Sequence, residues 1–255
     1  MTHDTGPNTL QTTATSLEVL ELLGEVDGAR VTEIAERMEV PKSTIHGHLA
    51  TLESKQFVIK RGDIYSLGPE LLRLGNQVRT RREAFVLARE YTEKLYAAVG
   101  FRSTFAVEMG GRAVFLHTAS GDRTEWAHER LGSRLYLHNT AVGKAMLAEL
   151  PRANVERILD DWGLPRETEH TITDRESLFA ELGVTRERGY AVNHEENIAG
   201  LYAIGVAATE RSGNVIGGFS VTGPKHSFTG TDREQRLADV LTEHANEYEL
   251  ELSLA

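Results

Sequence analysis

The segment from Val31 to Leu67 constrains the fold more than any other, because it sets several sharply punctuated elements in a row. Val31–Met38 reads as a short helix with Ile34, Ala35 and Met38 apolar, and Glu39-Val40-Pro41 is a tight turn. Lys42–Lys55 reads as the next helix. The Ser43 hydroxyl near its start can cap free backbone N–H groups, and Ile45, Leu49 and Leu52 recur at i, i+4 and i+7. Phe57–Lys60 and Ile64–Leu67 flank Arg61-Gly62-Asp63, a loop whose glycine suits a short β-hairpin. Upstream, Ser16–Leu23 has helical spacing with Leu17, Leu20 and Leu23 on one side, ended by Gly24 and Asp27-Gly28. Helix, helix, turn, helix and hairpin in so short a stretch is the plan of a winged helix-turn-helix, predicted here over residues 12–70.

Gly68-Pro69 marks the next boundary. Glu70–Val78 and the longer Glu83–Val99 have helical spacing, with Arg79-Thr80-Arg81-Arg82 between them, and are read as connector helices over 71–100. From Phe101 the texture changes. Ser103–Glu108 and Ala113–Thr118 look like paired strands around Met109-Gly110-Gly111-Arg112, and Ala203–Ala208 and Val215–Thr222 are strand-like on either side of Arg211-Ser212-Gly213-Asn214. Ala141–Leu150, Arg152–Trp162 and Glu176–Gly189 are helical, and Asp232–Leu252 is an amphipathic helix suited to core or dimer packing. Strands and helices in an unrepeated order predict an α+β sensor-type domain over 101–255.

Composition narrows the function classes. The chain has 255 residues, enough for two ordinary domains, and no apolar run long enough to span a membrane. Its first residues carry neither a basic region nor an apolar stretch, so they are not read as a signal peptide, and about ten of them are expected to fray. The reading is cytoplasmic. Without cysteine there is no disulfide, thiolate-bound zinc or thiol nucleophile. A net charge of −10 argues against indiscriminate nucleic-acid binding, and acidic, lysine-poor composition would suit a salt-rich cytoplasm.

Against that acidic background, the stretch from Lys42 to Arg61 holds four basic residues and one acid. The face of the Lys42–Lys55 helix opposite its apolar stripe carries Ser43, His46, Gly47, Ala50, Thr51 and Ser54, small and polar residues that can come close to base edges or phosphates. Thr44 and His48 flank the apolar side within reach of phosphates, and Lys60 and Arg61 sit on the hairpin. Arg73, Arg79, Arg81 and Arg82 form a second positive excess. These features predict contact with a double-stranded DNA operator through Lys42, Ser43, Thr44, His46, Gly47, His48, Thr51, Lys60 and Arg61. A winged helix that docks protein shares the same plan.

The residues just quoted resemble the IclR family of transcriptional regulators. The most distinctive parts are Pro41-Lys42-Ser43-Thr44, Leu49-Ala50-Thr51-Leu52 and Tyr65-Ser66-Leu67-Gly68, followed by Gly132-Ser133-Arg134-Leu135 leading into His138–Ala145. Thr171-Ile172-Thr173, Arg188-Gly189-Tyr190-Ala191-Val192, Glu195-Glu196 and Phe219–Pro224 then follow in order, so that the likeness spans residues 14 to 250. It implies a homodimer or tetramer, a palindromic operator and a GAF-like effector-binding domain, in a protein that represses or activates genes of carbon-source or aromatic catabolism. It also implies a pocket for a small organic acid or catabolic intermediate at Leu135, Ala141, Val142, Asn193, Leu201, Ala203, Ser220 and Thr222. Ser220 and Thr222 alternate on a strand and so share a face. The N–H groups at the start of the Thr140–Leu150 helix favour an anion. Asn193 can donate and accept. Gly47 stands where many relatives carry Arg, and Asn193 and Ala203 stand where others carry an acid and a Cys.

No motif points to catalysis, a cofactor or a metal. His194-Glu195-Glu196 cannot converge, because neighbours on an extended chain face opposite sides. His117, His138 and His226 are scattered without ligand spacing. Gly143-Lys144-Ala145 lacks the hydroxyl of a phosphate loop, and no Ser sits in a nucleophile elbow. A regulator is therefore expected rather than an enzyme.

Overall fold

The computed structural model describes residues 9–121, 131–228 and 231–254. The expected fraying of the first residues falls mostly on 1–8, outside the described residues. The chain divides into two compact units, Met1–Arg81 and Arg82–Ala255.

The first unit runs α1 (Gln11–Val26), β1 (Ala29–Arg30), α2 (Val31–Met38), α3 (Lys42–Ser54), β2 (Val58–Arg61), β3 (Ile64–Leu67) and α4 (Pro69–Thr80). The turn between α2 and α3 is closed by backbone bonds. Glu39 takes a left-handed conformation (φ 55°), the Val40 N–H donates to the Ala35 carbonyl at 3.1 Å, and the Pro41 carbonyl accepts from Thr44 and Ile45 at 2.9 and 3.1 Å. At the other end of α2, the Glu33 carboxylate accepts from the Arg30 N–H at 2.7 Å, which satisfies one of the donors that a helix start leaves open. Ile45, Leu49 and Leu52 pack as expected on Val19, Leu23, Ile34, Val58 and Tyr65. The expected stripe on α1 is shifted. Thr15, Val19 and Leu23 form the buried line at i, i+4 and i+8, while Leu20 is half-buried and Leu17 is exposed. The hairpin gains a third strand, because β1 pairs with β3 through Ala29 and Tyr65. Where the wing returns to α4, a Cβ on Gly68 would lie 2.1 Å from the Gln56 carbonyl oxygen, so this close approach requires glycine.

The second unit runs α5 (Glu83–Val99), β4 (Arg102–Met109), β5 (Arg112–Ala119), β6 (Arg134–Tyr136), α6 (Ala141–Glu149), α7 (Arg152–Trp162), α8 (Arg175–Arg188), β7 (Ala191–His194), β8 (Leu201–Thr209), β9 (Val215–Pro224), α9 (Lys225–Phe228) and α10 (Thr231–Leu254). Its strands form an antiparallel sheet of order β6-β5-β4-β9-β8-β7. Strand alternation feeds two cores: Phe105 joins α5 and α10 on one face, through Phe85, Leu95, Leu241 and Tyr248, and the next residue, Ala106, joins α6, α7 and α8 on the other. The stretch read as connector helices is thus divided between the units. α4 falls in Met1–Arg81 and buries none of its own residues, while α5 places Phe85, Ala88 and Leu95 in the core of Arg82–Ala255.

Candidate functional site

Two sites were expected, and each lies within one unit. On the first, α3 exposes Lys42, Ser43, Thr44, His46, Gly47 and Thr51, and β2 exposes Lys60 and Arg61. His48 differs. It is half-buried, with Nδ1 2.8 Å from the Ser16 hydroxyl of α1, so its ring braces two helices instead of pointing outward. Thr51 donates its hydroxyl proton to the Gly47 carbonyl at 2.9 Å and Ser54 donates to Thr51 at 2.7 Å, which leaves only their lone pairs for a partner. A groove of about 450 Å³ runs between Thr12, Thr13 and Ser16 of α1 and Ser43, Thr44 and Gly47 of α3. A second groove, of about 260 Å³, is bordered by His46 of α3, Lys60 of the wing, and Arg30 and Thr32 at the start of α2. Among the described residues nothing lies within 4 Å of a Cβ built on Gly47, so their packing does not demand glycine there. The second positive excess is partly neutralised: Glu70 chelates Arg73, and Glu210 accepts from Arg82 at 2.7 Å.

The second site lies between the sheet and the start of α6. Cross-strand register places Asn193, Ala203 and Thr222 in one row, and Gly205 and Ser220 in the next row on the same face. A Cβ on Gly205 would come within 2.5 Å of the Ala141 carbonyl carbon and the Val142 nitrogen. The bare strand therefore lets the first turn of α6 lie directly on the sheet. Thr140 caps that turn, accepting from the Gly143 N–H at 3.2 Å. The N–H groups of Ala141 and Val142 belong to the same first turn, where no helix carbonyl can reach them.

The result is a cavity of about 20 Å³ whose walls include Ala141, Val142, Asn193, Leu201, Ala203, Ser220 and Thr222, with Phe115, Thr140, Asn197 and Tyr202 added. Leu135, the remaining expected residue, does not line it. It pairs with Ala113 on the edge strand β6 and packs on the α6–α8 core. Asn193 is also more committed than expected. Its Nδ2 donates to the Asn139 carbonyl at 3.0 Å and to Asn197 Oδ1 at 2.7 Å, and its Oδ1 accepts from the Glu196 N–H at 2.8 Å. The Ser220 hydroxyl lies 2.6 Å from that of Thr104, its neighbour across the β9–β4 pair.

Behind the cavity lies a feature that sequence reasoning missed. Lys144 of α6 is 1% exposed, with its Nζ 2.6 Å from Glu196 Oε1 and 3.3 Å from Glu181 Oε1, and Arg188 reaches the same Glu181 oxygen at 3.3 Å. Burial pushes the Glu196 carboxyl up, against the pull of the Lys144 ammonium. The two carboxylates of Glu195-Glu196 do diverge: Glu195 turns to Lys225 and the Gly200 N–H. The available signal was a lone lysine in a helix that is otherwise apolar until its last residue, Glu149, which a search for phosphate loops passes over. Nearby, burial holds the His138 imidazole down at about 4; the Arg112 and Lys144 charges add to this, and its bond to the Pro165 carbonyl opposes it.

The model for the bacterial transcriptional regulator IclR C-terminal domain matches residues 77–249, and that for the IclR helix-turn-helix domain matches residues 14–62. The chain belongs to the IclR family. Among relatives, the probable HTH-type transcriptional regulator ArcR of Halobacterium salinarum is 28% identical over 98% of this chain and 96% of its own length. The HTH-type transcriptional regulator BhcR of Paracoccus denitrificans is 30% identical over 91% of this chain and 84% of its own. The crystal structure of the Thermotoga maritima IclR superposes with a TM-score of 0.83 at 28% identity, covering 96% of this chain and all of that one. The expectation of an IclR-type winged helix-turn-helix followed by a GAF-like effector domain is met, and IclR-family proteins are DNA-binding transcriptional regulators rather than enzymes. Among the described residues no helix is long and apolar enough to cross a membrane.

Proposed function

We propose that this IclR-family regulator is controlled by a small molecule, an organic acid or catabolic intermediate, seated in the cavity between β8, β9 and α6, and that it controls metabolic genes through a palindromic operator. In this reading Lys42, Ser43, Thr44, His46, Gly47 and Thr51 of α3 face the DNA. Lys60 and Arg61 of the wing hold phosphates, and His48 acts from behind by fixing α3 to α1. The observation that carries the effector reading is convergence: residues distant in sequence, Ala141 and Val142 with Asn193, Leu201, Ala203, Ser220 and Thr222, border one cavity. About 20 Å³ holds roughly one water, far below the few hundred Å³ that a ligand pocket usually encloses. An effector must therefore widen the cavity, which links its binding to a change of shape. Linkage then requires that the same molecule bind the DNA-bound and free forms with different affinity.

A homodimer or tetramer in the cytoplasm completes the reading. It suits α4, which leaves Leu72, Leu74 and Val78 exposed in the single chain. The test replaces Ser220→Ala and Thr222→Ala together and measures operator affinity with and without a panel of organic acids. The double variant is expected to bind operator as the parent does and to lose the response. A normal response in the double variant places the effector elsewhere.

A further inference from the structure

We infer that residues 195–200, the loop between β7 and β8, are a gate over this cavity, latched from inside by the Lys144–Glu196 ion pair; the inference rests on the effector reading above, in which the cavity must open to be filled. The walls differ in what holds them. Ala203, Ser220, Thr222 and Phe115 sit on β8, β9 and β5, each of which is paired on both edges within the sheet. Thr140, Ala141 and Val142 form the start of α6, which rests on Gly205. Moving any of these breaks the sheet or lifts a packed helix from it. Among the described walls, Asn197 alone lies in a loop between elements.

That loop is fastened by polar bonds and little else. Among residues 195–200 only Glu196 is buried, and Ile198, the largest apolar side chain, is half-buried. The Glu195 carboxylate accepts from the Lys225 ammonium and from the Gly200 N–H at 2.9 Å. Thr168 and Thr171 donate their hydroxyl protons to the Glu195 and Glu196 carbonyls at 2.7 and 2.6 Å, and Asn193 Nδ2 donates to Asn197 Oδ1 at 2.7 Å. Such bonds are exchanged for bonds to water at small net cost, so a segment held by them opens locally before packed elements do. Both ends are shaped to pivot: Glu195 (φ 62°) and Gly200 (φ 82°) are left-handed, and no described atom lies within 4 Å of a Cβ built on Gly200.

The latch is stronger than these ties. Lys144 of α6 is 1% exposed and its Nζ lies 2.6 Å from Glu196 Oε1, so one charged bond joins the helix of one wall to the loop of another. Closure carries strain as well. Glu196 Oε2 has no hydrogen-bond partner among the described residues, and water satisfies it once the loop swings out. Lys144 thus holds shut what the unpaired oxygen favours opening.

The chain has no cysteine, so one introduced thiol reports access to one place. Ala203→Cys puts a thiol on the cavity wall and Ala88→Cys puts one in the α5–α10 core, both at buried positions. The experiment measures the rate at which methyl methanethiosulfonate labels each in the full chain, with and without Glu196→Gln, which removes the negative charge from the latch. Labelling through local opening follows the population of the open form. Glu196→Gln is expected to speed labelling of Ala203→Cys about tenfold, the difference between a charged and a neutral hydrogen bond, and to leave Ala88→Cys unchanged. An unchanged rate at Ala203→Cys denies the latch, and an equal rise at both positions is general loosening; either overturns the inference. Labelling of Ala203→Cys in the otherwise unaltered chain as fast as that of a free thiol also overturns it, since the cavity then stands open. Should Glu196→Gln fail to fold by circular dichroism, Lys225→Met decides in its place: a rise confined to Ala203→Cys supports the gate, and no such rise overturns it. No effector enters the measurement. A gated chain that answers no organic acid keeps this inference and loses the effector reading, whereas an ungated chain whose response disappears with Ser220→Ala and Thr222→Ala does the reverse.

Discussion

Lys144 shows how much of this molecule is decided by single buried charges. Its ammonium is shared between Glu196 and Glu181, and Glu196 Oε2 has no hydrogen-bond partner among the described residues, so the pair has little to fall back on. Lys144→Met is expected to cost about 3–5 kcal/mol, because it strands a buried carboxylate. Adding Glu196→Leu should restore most of that loss; urea denaturation of both variants checks it, and a cost below about 1 kcal/mol would show that the pair matters little. His138 makes a pH prediction. Its folded pKa is about 4 against an ordinary 6.5, so the unfolded chain binds the extra proton between those values. Stability is therefore full above pH 6.5 and falls as pH drops towards 4, by on the order of 3 kcal/mol. His138→Gln, which keeps an amide donor for the Pro165 carbonyl, should flatten that part of the stability–pH profile, and an unchanged slope would assign it to other groups. At this scale the sequence was only partly legible. Ser220 and Thr222 follow from strand alternation, but the committed bonds of Asn193 and the burial of Lys144 depend on partners dozens of residues away.

Elements were read more securely, and the reasons are local. The α2–α3 turn, the caps and the apolar spacing of Ile45, Leu49 and Leu52 are short-range signals, and they place α2 and α3 to within a residue. The bounds of α5 and α7 agree for the same reason. The misses are short: β1 has two residues, β6 three, and β7 and the helix α9 four each, too few to show a period, and each of the strands exists because a longer strand is there to pair with it. Leu135 was drawn into the pocket by resemblance, yet its place on the edge strand β6 keeps it on the α6–α8 core. The seat of α6 on β8 is the element contact most exposed to test. Gly205→Ala puts a methyl within 2.5 Å of α6 backbone and is expected to cost about 1–3 kcal/mol by overpacking. Gly47→Ala meets no neighbour and should stabilise α3 by about 1 kcal/mol. Thermal melting of the two variants should move Tm in opposite directions; a stabilised Gly205→Ala would mean that α6 is not held against the strand.

The whole molecule joins an acidic chain, net −10, to a helix, α3, proposed above to face DNA, whose exposed face is mostly hydroxyls, small residues and one histidine, with Lys42, Lys60 and Arg61 around it. Such a surface attracts few phosphates by charge and must select its site through close contact. The central claim is selective operator binding by this winged helix, and it is tested most directly by measuring affinity for the DNA upstream of its own gene, across a salt series, beside unrelated DNA of equal length. The account predicts tight binding to the upstream DNA that weakens with salt by roughly 0.9 log units per log unit of salt for each phosphate held, and much weaker binding to the control. Equal affinity for both DNAs, indifferent to salt and to the organic acids tested, would contradict it.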